Sequence, residues 1–158
     1  GIYDNLGLER IWDNYNTVLV SDAGAPFKIK PDPIMIRFSQ ISRTLRTLDI
    51  AIEQTRSLRK RKLVEDFKSK VRLGAYWGIA TQIEDYRLEE SGFRGPMVKD
   101  NAITKSMSQI RTRLNSFSER EQGLLINWGY ALTDAAMVRH VLKSDIKQGK
   151  WPVPKYSL

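Results

Sequence analysis

Residues 17–20 are Thr-Val-Leu-Val, and the predicted fold class follows from this short run. It is apolar and rich in β-branched residues. Polar residues bound it on both sides, Asn14-Tyr15-Asn16 before it and Ser21-Asp22-Ala23-Gly24 after it. A continuously apolar run of this length is typical of a strand that is buried on both faces of a parallel sheet. We therefore predict an α/β fold.

Helices are predicted on both sides of this strand along the chain. Residues 5–12 form a predicted short helix. The prolines at positions 26, 31 and 33 enforce a loop, because proline removes a backbone donor and restricts the residue before it. After this loop, apolar residues recur at three- and four-residue spacing and share one face of a helix that extends to about Phe67. These residues are Phe38, Ile41, Leu45, Leu48 and Ile52.

The second half of the sequence predicts one more strand and a long helix. Residues 73–80 are aromatic and β-branched with two glycines, which favours a strand. Residues 91–101 are predicted as a loop, and residues 104–114 as a short helix. Ser118 and Glu121 have the spacing of a capping box, which marks the start of a helix. Apolar residues then recur at helical spacing as far as Val138, so the chain is predicted to be helix-rich with two or three strands.

Composition excludes several classes of function. The 158 residues correspond to one domain, and the absence of cysteine excludes a disulfide framework, a thiol nucleophile and a thiolate metal site. No group of His, Asp and Glu has metal-ligand spacing, so neither a metal nor a cofactor is expected. No apolar run reaches the roughly 18 to 20 residues that cross a bilayer. These observations favour a cytoplasmic protein, with peripheral membrane contact as an option.

The chain carries a formal net charge of +8. Its densest basic cluster contains Arg56, Arg59, Lys60, Arg61 and Lys62, and Lys68, Lys70 and Arg72 follow closely; Arg59 to Lys62 are the candidates for membrane binding. A basic surface attracts polyanions of different kinds. Three interpretations stay open: a solvated helix face, contact with an anionic membrane surface, and nucleic-acid binding. Nucleic acid is disfavoured, because no nucleic-acid-binding motif accompanies the charge.

The opening residues, Gly1-Ile2-Tyr3-Asp4-Asn5-Leu6-Gly7, resemble the segment that follows the catalytic aspartate of patatin-like phospholipases. Four later stretches resemble bacterial members of that family, the first of them the strand and loop that follow this segment and the other three the C-terminal region. In chain order these are TVLVSDAGAPF at 17–27, SLRKR at 57–61, GAYWGI at 74–79 and LNSFSEREQGLLINWGYALTD at 114–134. Together they cover nearly the whole chain.

The resemblance implies the C-terminal part of a three-layer α/β/α patatin-like domain. Residues 1–30 would end the catalytic core, and residues 31–158 would form a helical region with one strand near 73–80. The family hydrolyses lipid acyl esters with a Ser-Asp dyad, in which an activated serine and amide donors to the oxyanion share the chemistry. This chain contains neither Gly-x-Ser-x-Gly nor a glycine-rich oxyanion loop. It is therefore expected to be inactive alone and to need the N-terminal part of the same hydrolase as its partner, with lipid or phospholipid as substrate.

The same resemblance gives individual residues their expected places. Gly1 would be the last glycine of the aspartate motif, and Asn5 would form the turn after it. Asp22 and Gly24 are expected next to the site, since α/β sites lie beyond the carboxyl ends of strands. Asp22 is more plausible as a loop carboxylate than as the base. His140 is expected to pack or to lie at a helix end.

A hypothesis of another class stays open beside the hydrolase. In it the chain is a stand-alone basic helical module that binds an anionic partner. The two differ in folding, because the hydrolase fragment should leave the helix faces at 38–52 and 124–138 without a full covering layer.

Overall fold

The structure is a computed structural model that describes residues 4, 6–24, 40–111, 115–144 and 146–158. The side chains of residues 41 and 42 are outside this description. The chain divides into two compact units. The first comprises Gly1–Val18 and Pro26–Arg72, and the second comprises Leu19–Ala25 and Leu73–Leu158.

Half of the described residues are helical, and the two described strands form a small parallel sheet. This composition agrees with the predicted α/β class at the coarse level. The strands and α-helices are, in order, β1 (Thr17–Asp22), α1 (Gln40–Lys68), β2 (Leu73–Gly78), α2 (Ala102–Ser108) and α3 (Glu119–His140). Three short 3-10 turns cover Ile83–Tyr86, Leu88–Ser91 and Pro154–Tyr156.

In the first unit, α1 extends over 29 residues that include neither glycine nor proline. It ends at Lys68, one residue beyond the predicted end. The chain then turns at Lys70, whose φ of 59° lies in the left-handed region that few non-glycine residues adopt.

The apolar face predicted at the start of α1 lies largely in solvent. Leu45 is 57% exposed and Leu48 is 45% exposed, whereas Ile52 is half-buried. Phe38 lies outside the described residues. This exposure agrees with the expectation that the face lacks a covering layer, as far as the described residues are concerned. Burial on α1 is concentrated toward its C-terminal end, where Leu63 is fully enclosed.

The short helix predicted over residues 5–12 is wrong for the part that the structure describes. Residues 9–14 form consecutive turns, in which the amides of Ile11 and Trp12 both donate to the carbonyl of Leu8. The Asp4 carboxylate accepts the amides of Leu8 and Glu9 at 3.1 and 2.9 Å. The Asp4 side chain thus accepts hydrogen bonds from amides that would donate to backbone carbonyls in a longer helix.

Strand β1 alternates between buried and exposed residues instead of being buried on both faces. Val18 and Val20 are buried, and Leu19 between them is 47% exposed. The predicted two-sided burial is therefore not found in this chain. One face of β1 packs inward, and β2 is its partner in the sheet.

The second unit is organised around α3. Leu124, Trp128, Leu132, Ala135 and Val138 share a face of this helix and are all buried. They join Trp77 of β2, Met107 of α2 and the first two 3-10 turns, Ile83–Tyr86 and Leu88–Ser91, in one apolar cluster. The expectation that this helix face would lack a covering layer is wrong, because the remainder of the unit supplies one.

The predicted capping box at the start of α3 is confirmed. The Ser118 hydroxyl accepts the amide of Glu121, and the Glu121 carboxylate accepts the amide of Ser118 at 2.7 Å. Arg111 donates to both oxygens of the same carboxylate. These donors stabilise the charged form and lower the pKa of Glu121 to about 2.

The proline-rich tail docks on α3 through a buried amide. The Asn127 side chain is fully buried and makes three hydrogen bonds to tail backbone: it donates to the carbonyls of Val153 and Tyr156 and accepts the amide of Val153. Gly123 lies one turn earlier on the same helix, and a Cβ there would overlap the Tyr156 ring. The absence of a side chain at Gly123 is what lets the ring pack against the helix.

We expect Gly123→Ala to destabilise the second unit. The added methyl group must displace Tyr156, and overpacking of this kind costs about 1–3 kcal/mol. Gly129→Ala is the matched control, because Gly129 lies on the same helix with open space around its Cα, and alanine there should be neutral or stabilise by about 1 kcal/mol. Urea unfolding at low protein concentration, followed by tryptophan fluorescence, measures both. Equal effects of the two substitutions would contradict the proposed contact.

The start of α3 should weaken in acid. The pKa of Glu121 is lower in the folded state than in the unfolded chain, so its contribution to stability is complete above about pH 4.5 and is lost as the pH falls toward 2. In an NMR titration, Arg111→Gln should raise the pKa of Glu121 toward its ordinary value. Lys155→Gln, which removes a partner of Glu119 instead, should leave that pKa in place. An unchanged pKa in Arg111→Gln would refute the assignment.

Candidate functional site

The strands of the small sheet end in a polar cluster built around Asp22. The Asp22 carboxylate is buried, and its Oδ1 accepts the amide of Gly24 at 2.9 Å. Its Oδ2 accepts the hydroxyl of Tyr76 on β2 at 2.7 Å. A buried carboxylate needs such donors to offset the loss of hydration. In this arrangement Asp22 closes the turn after β1 and ties that turn to β2.

Further hydrogen bonds fix the end of β2. Tyr86 donates from its hydroxyl to the carbonyl of Tyr76 at 3.2 Å, and burial raises the pKa of Tyr86, so the phenol stays neutral. The Trp128 ring N–H donates to the carbonyl of Ile79 at 3.0 Å. The amide of Gly78 donates to the Thr81 hydroxyl at 2.9 Å. These neutral donors hold the carboxyl ends of the strands in place.

The cluster can hold and orient a charged group. Its own carboxylate, that of Asp22, already accepts hydrogen bonds from two donors, the Gly24 amide and the Tyr76 hydroxyl. Tyr76, the donor to Asp22, was not among the residues that the sequence suggested. Tyr76 lies 54 positions away and in a run that patterning assigns to the core, so only the paired strands bring it to Asp22. Gly24 is exposed and contributes its amide to Asp22. Gly1 and Asn5, the other residues predicted at or beside the site, lie outside the described residues.

His140 is the last residue of α3. Its ring meets the Tyr86 ring edge-on, with the centroids 6.0 Å apart. Burial, reinforced by the neighbouring positive charge of Arg139, lowers the pKa of His140. This environment agrees with the predicted packing role at a helix end.

The residues of the predicted basic cluster on α1 differ in their contacts. Arg59 donates to Asp4 at 2.7 Å and to Glu9 at 3.1 Å, and its side chain is largely buried. Although burial raises the pKa of Asp4, the amides of Glu9 and Leu8 and the Arg59 guanidinium together lower it. Arg59 thus attaches the N-terminal segment to α1.

Lys62 is also paired. Its ammonium group lies 2.7 Å from Asp66, one turn along α1, and this hydrogen bond raises the pKa of Lys62. Asp66 is itself buried, so the pair neutralises a carboxylate that would be costly alone. Lys60 and Arg61 are exposed. Arg59 and Lys62 of the predicted anion-binding cluster therefore each have a carboxylate partner within their own unit.

A cleft of about 380 Å³ lies beside this ion-pair network, between α1 and the N-terminal turns of the same unit. Leu8, Trp12 and Leu58 form its apolar wall. Its charged residues are Glu9, Asp13, Arg59 and Lys62. Three of these four already take part in the ion pairs above.

Comparison of the chain with models of protein families, with curated proteins and with solved structures finds no match. The resemblance to patatin-like hydrolases therefore rests on the sequence motifs. Among the described residues, no three His, Asp or Glu side chains are grouped to hold a metal ion. None of the helices in the same part of the chain has the length and apolarity of a membrane span.

Replacing Arg59 should loosen the N-terminal segment, whereas replacing Arg61 should not. Arg59→Gln leaves Asp4 without its cationic partner, and a hydrogen bond to a charged group contributes about 1.5–3 kcal/mol. The amides of Leu8 and Glu9, which donate to Asp4, should therefore exchange roughly ten to a hundred times faster. Arg61→Gln removes the same charge from a neighbouring exposed position. Hydrogen exchange measured by NMR compares the two, and equal protection in both variants would exclude the proposed role of Arg59.

Proposed function

We propose that this chain is the C-terminal part of a patatin-like serine lipid acyl hydrolase. The N-terminal part of the same protein would supply the serine and aspartate of the dyad, and the substrate would be an acyl ester of a lipid or phospholipid. The observation that carries the proposal is the order of motifs along the chain, from the opening Gly1-Ile2-Tyr3-Asp4-Asn5-Leu6-Gly7 to the segment at 114–134. No cofactor is part of the proposal.

Two structural observations support it. First, β1 ends in a loop that contains Asp22 and Gly24, and its neighbour β2 runs parallel to it. This is the arrangement in which α/β enzymes place loops around a site. Second, α1 exposes leucines and isoleucine along its first half, a surface that an upstream segment would cover.

In such an enzyme this chain would shape the site without performing the chemistry. Attack on the ester carbonyl requires a serine hydroxyl whose proton passes to the aspartate, with amide donors around the oxyanion. The Asp22 carboxylate is committed to Gly24 and Tyr76, which suits a residue that fixes a loop beside the site. The exposed cations of the Arg59–Lys62 cluster would contribute to contact between the enzyme and an anionic membrane.

The alternative is a stand-alone basic module that binds an anionic partner. The specific observation in its favour is the second unit, which buries Trp128, Leu132 and Ala135 without residues from outside the chain. A unit with its own core has the means to fold independently. The exposed apolar face of α1 argues for the fragment, since it would promote aggregation of an isolated chain.

We expect the chain alone to show only background hydrolysis of a p-nitrophenyl ester and to elute as aggregates in gel filtration. Co-expressed with the upstream part of its gene product, it should co-purify in soluble form and the complex should turn over the ester. Asp22→Asn in that complex should retain turnover, because the amide oxygen still accepts the Gly24 amide and the Tyr76 hydroxyl can accept a hydrogen bond from the amide nitrogen.

Two outcomes would reverse this proposal. Saturable hydrolysis by the chain alone that disappears in Asp22→Asn would make Asp22 the base. A monomeric chain that melts cooperatively and does not bind the upstream part would give the advantage to the stand-alone module.

A further inference from the structure

We propose that the end of α1 and the turn after it, residues 68–71, form the element that docks on an anionic membrane surface. This inference rests on the proposed function and deepens the membrane contact included in it, by adding a second contact to the exposed cations of the Arg59–Lys62 cluster. The partner is the lipid surface itself. Its phosphate or carboxylate headgroups would contact the lysines, and the outer part of its acyl layer would contact the exposed apolar residue at the tip of the turn.

Charge is the first argument. Within the part of the chain that the structure describes, Lys68 and Lys70 are exposed and no carboxylate lies within ion-pair distance of either. Arg59 and Lys62, by contrast, each contact a carboxylate of their own unit. The ammonium groups of the turn therefore remain available for headgroups, where each contributes electrostatic attraction.

Exposed apolar surface beside these charges is the second argument. Val71 is 71% exposed, the highest value among the large apolar residues that the structure describes. Tyr15 is 59% exposed, and its carbonyl accepts the Arg72 guanidinium at 2.8 Å, which places it next to the turn. An apolar tip, an amphipathic aromatic ring and lysines are the combination that membrane interfaces favour.

The turn is also held in shape, which is the third argument. Lys70 has φ of 59°, and its amide donates to Phe67. Behind it, Arg72 lies over the Trp12 ring at 4.8 Å, and its amide donates to the carbonyl of Asp66. A preformed loop loses little conformational entropy on docking. Val71 is thereby presented outward by contacts that lie on the protein side of the turn.

Vesicle flotation of the full 158-residue chain tests the proposal, because aggregates sink while vesicle-bound protein floats. Phosphatidylcholine vesicles are compared with vesicles that also contain phosphatidylserine. The double variant Lys68→Gln/Lys70→Gln should weaken partitioning to the anionic vesicles about thirtyfold. Lys99→Gln/Lys105→Gln is the matched control, since it removes two exposed lysines from the second unit and should have little effect.

A second variant tests insertion of the tip. Val71→Trp should strengthen partitioning several-fold, and brominated lipid should quench its fluorescence more than that of the parent chain. Equal losses in the two lysine variants, or no added quenching in Val71→Trp, would overturn the proposal. The proposal would also be overturned if Lys68→Gln/Lys70→Gln lost binding to a single-stranded oligonucleotide but still bound vesicles as the parent chain does. The assay involves no ester hydrolysis, so its failure is distinguishable from failure of the hydrolase proposal.

Discussion

Burial of one face of α3 is the constraint on which the second unit depends. β2, α2 and all three 3-10 turns pack against this helix, so each owes its position to the same apolar surface. Trp128 sits at the centre, and its ring N–H must find a partner once buried. The carbonyl of Ile79, just beyond β2, supplies it. The helix thereby fixes the end of the strand as well as the core, and the polar cluster at Asp22 inherits its geometry from that contact.

The first unit is held together in a different way. Most of its described apolar residues along α1 are exposed. Long-range ion pairs hold the N-terminal segment against this helix. Arg72, which follows the C-terminal end of the helix, adds to this attachment: it lies within ion-pair distance of Asp66 and over the Trp12 ring. Charged groups of this kind specify position well and contribute modest net stability. Ion pairs therefore fix the position of the N-terminal segment in this unit, while an apolar face of α1 stays exposed to solvent.

Local rules allowed much of this to be predicted from the sequence. The extent of α1 follows from 29 residues without a helix breaker, and the start of α3 follows from the capping box at Ser118 and Glu121. The contacts of Arg59 with Asp4 and of Asn127 with Val153 join residues 55 and 26 positions apart, and no periodicity carries that information. The alternating burial of β1 was also beyond reach, because an apolar residue on the open face of a short sheet has the same pattern as a buried one.

The fate of the basic residues shows why charge counted along a sequence is a weak guide to a binding surface. Arg59 belongs to the densest run of cations, yet carboxylates of the N-terminal segment absorb it into the fold. Lys68 and Lys70 lie in a sparser stretch and are exposed, and no carboxylate of the described residues lies within ion-pair distance of either. Attraction to an anionic surface depends on cations that the fold leaves unneutralised. The turn that ends α1 is therefore where we propose that such a surface meets this protein.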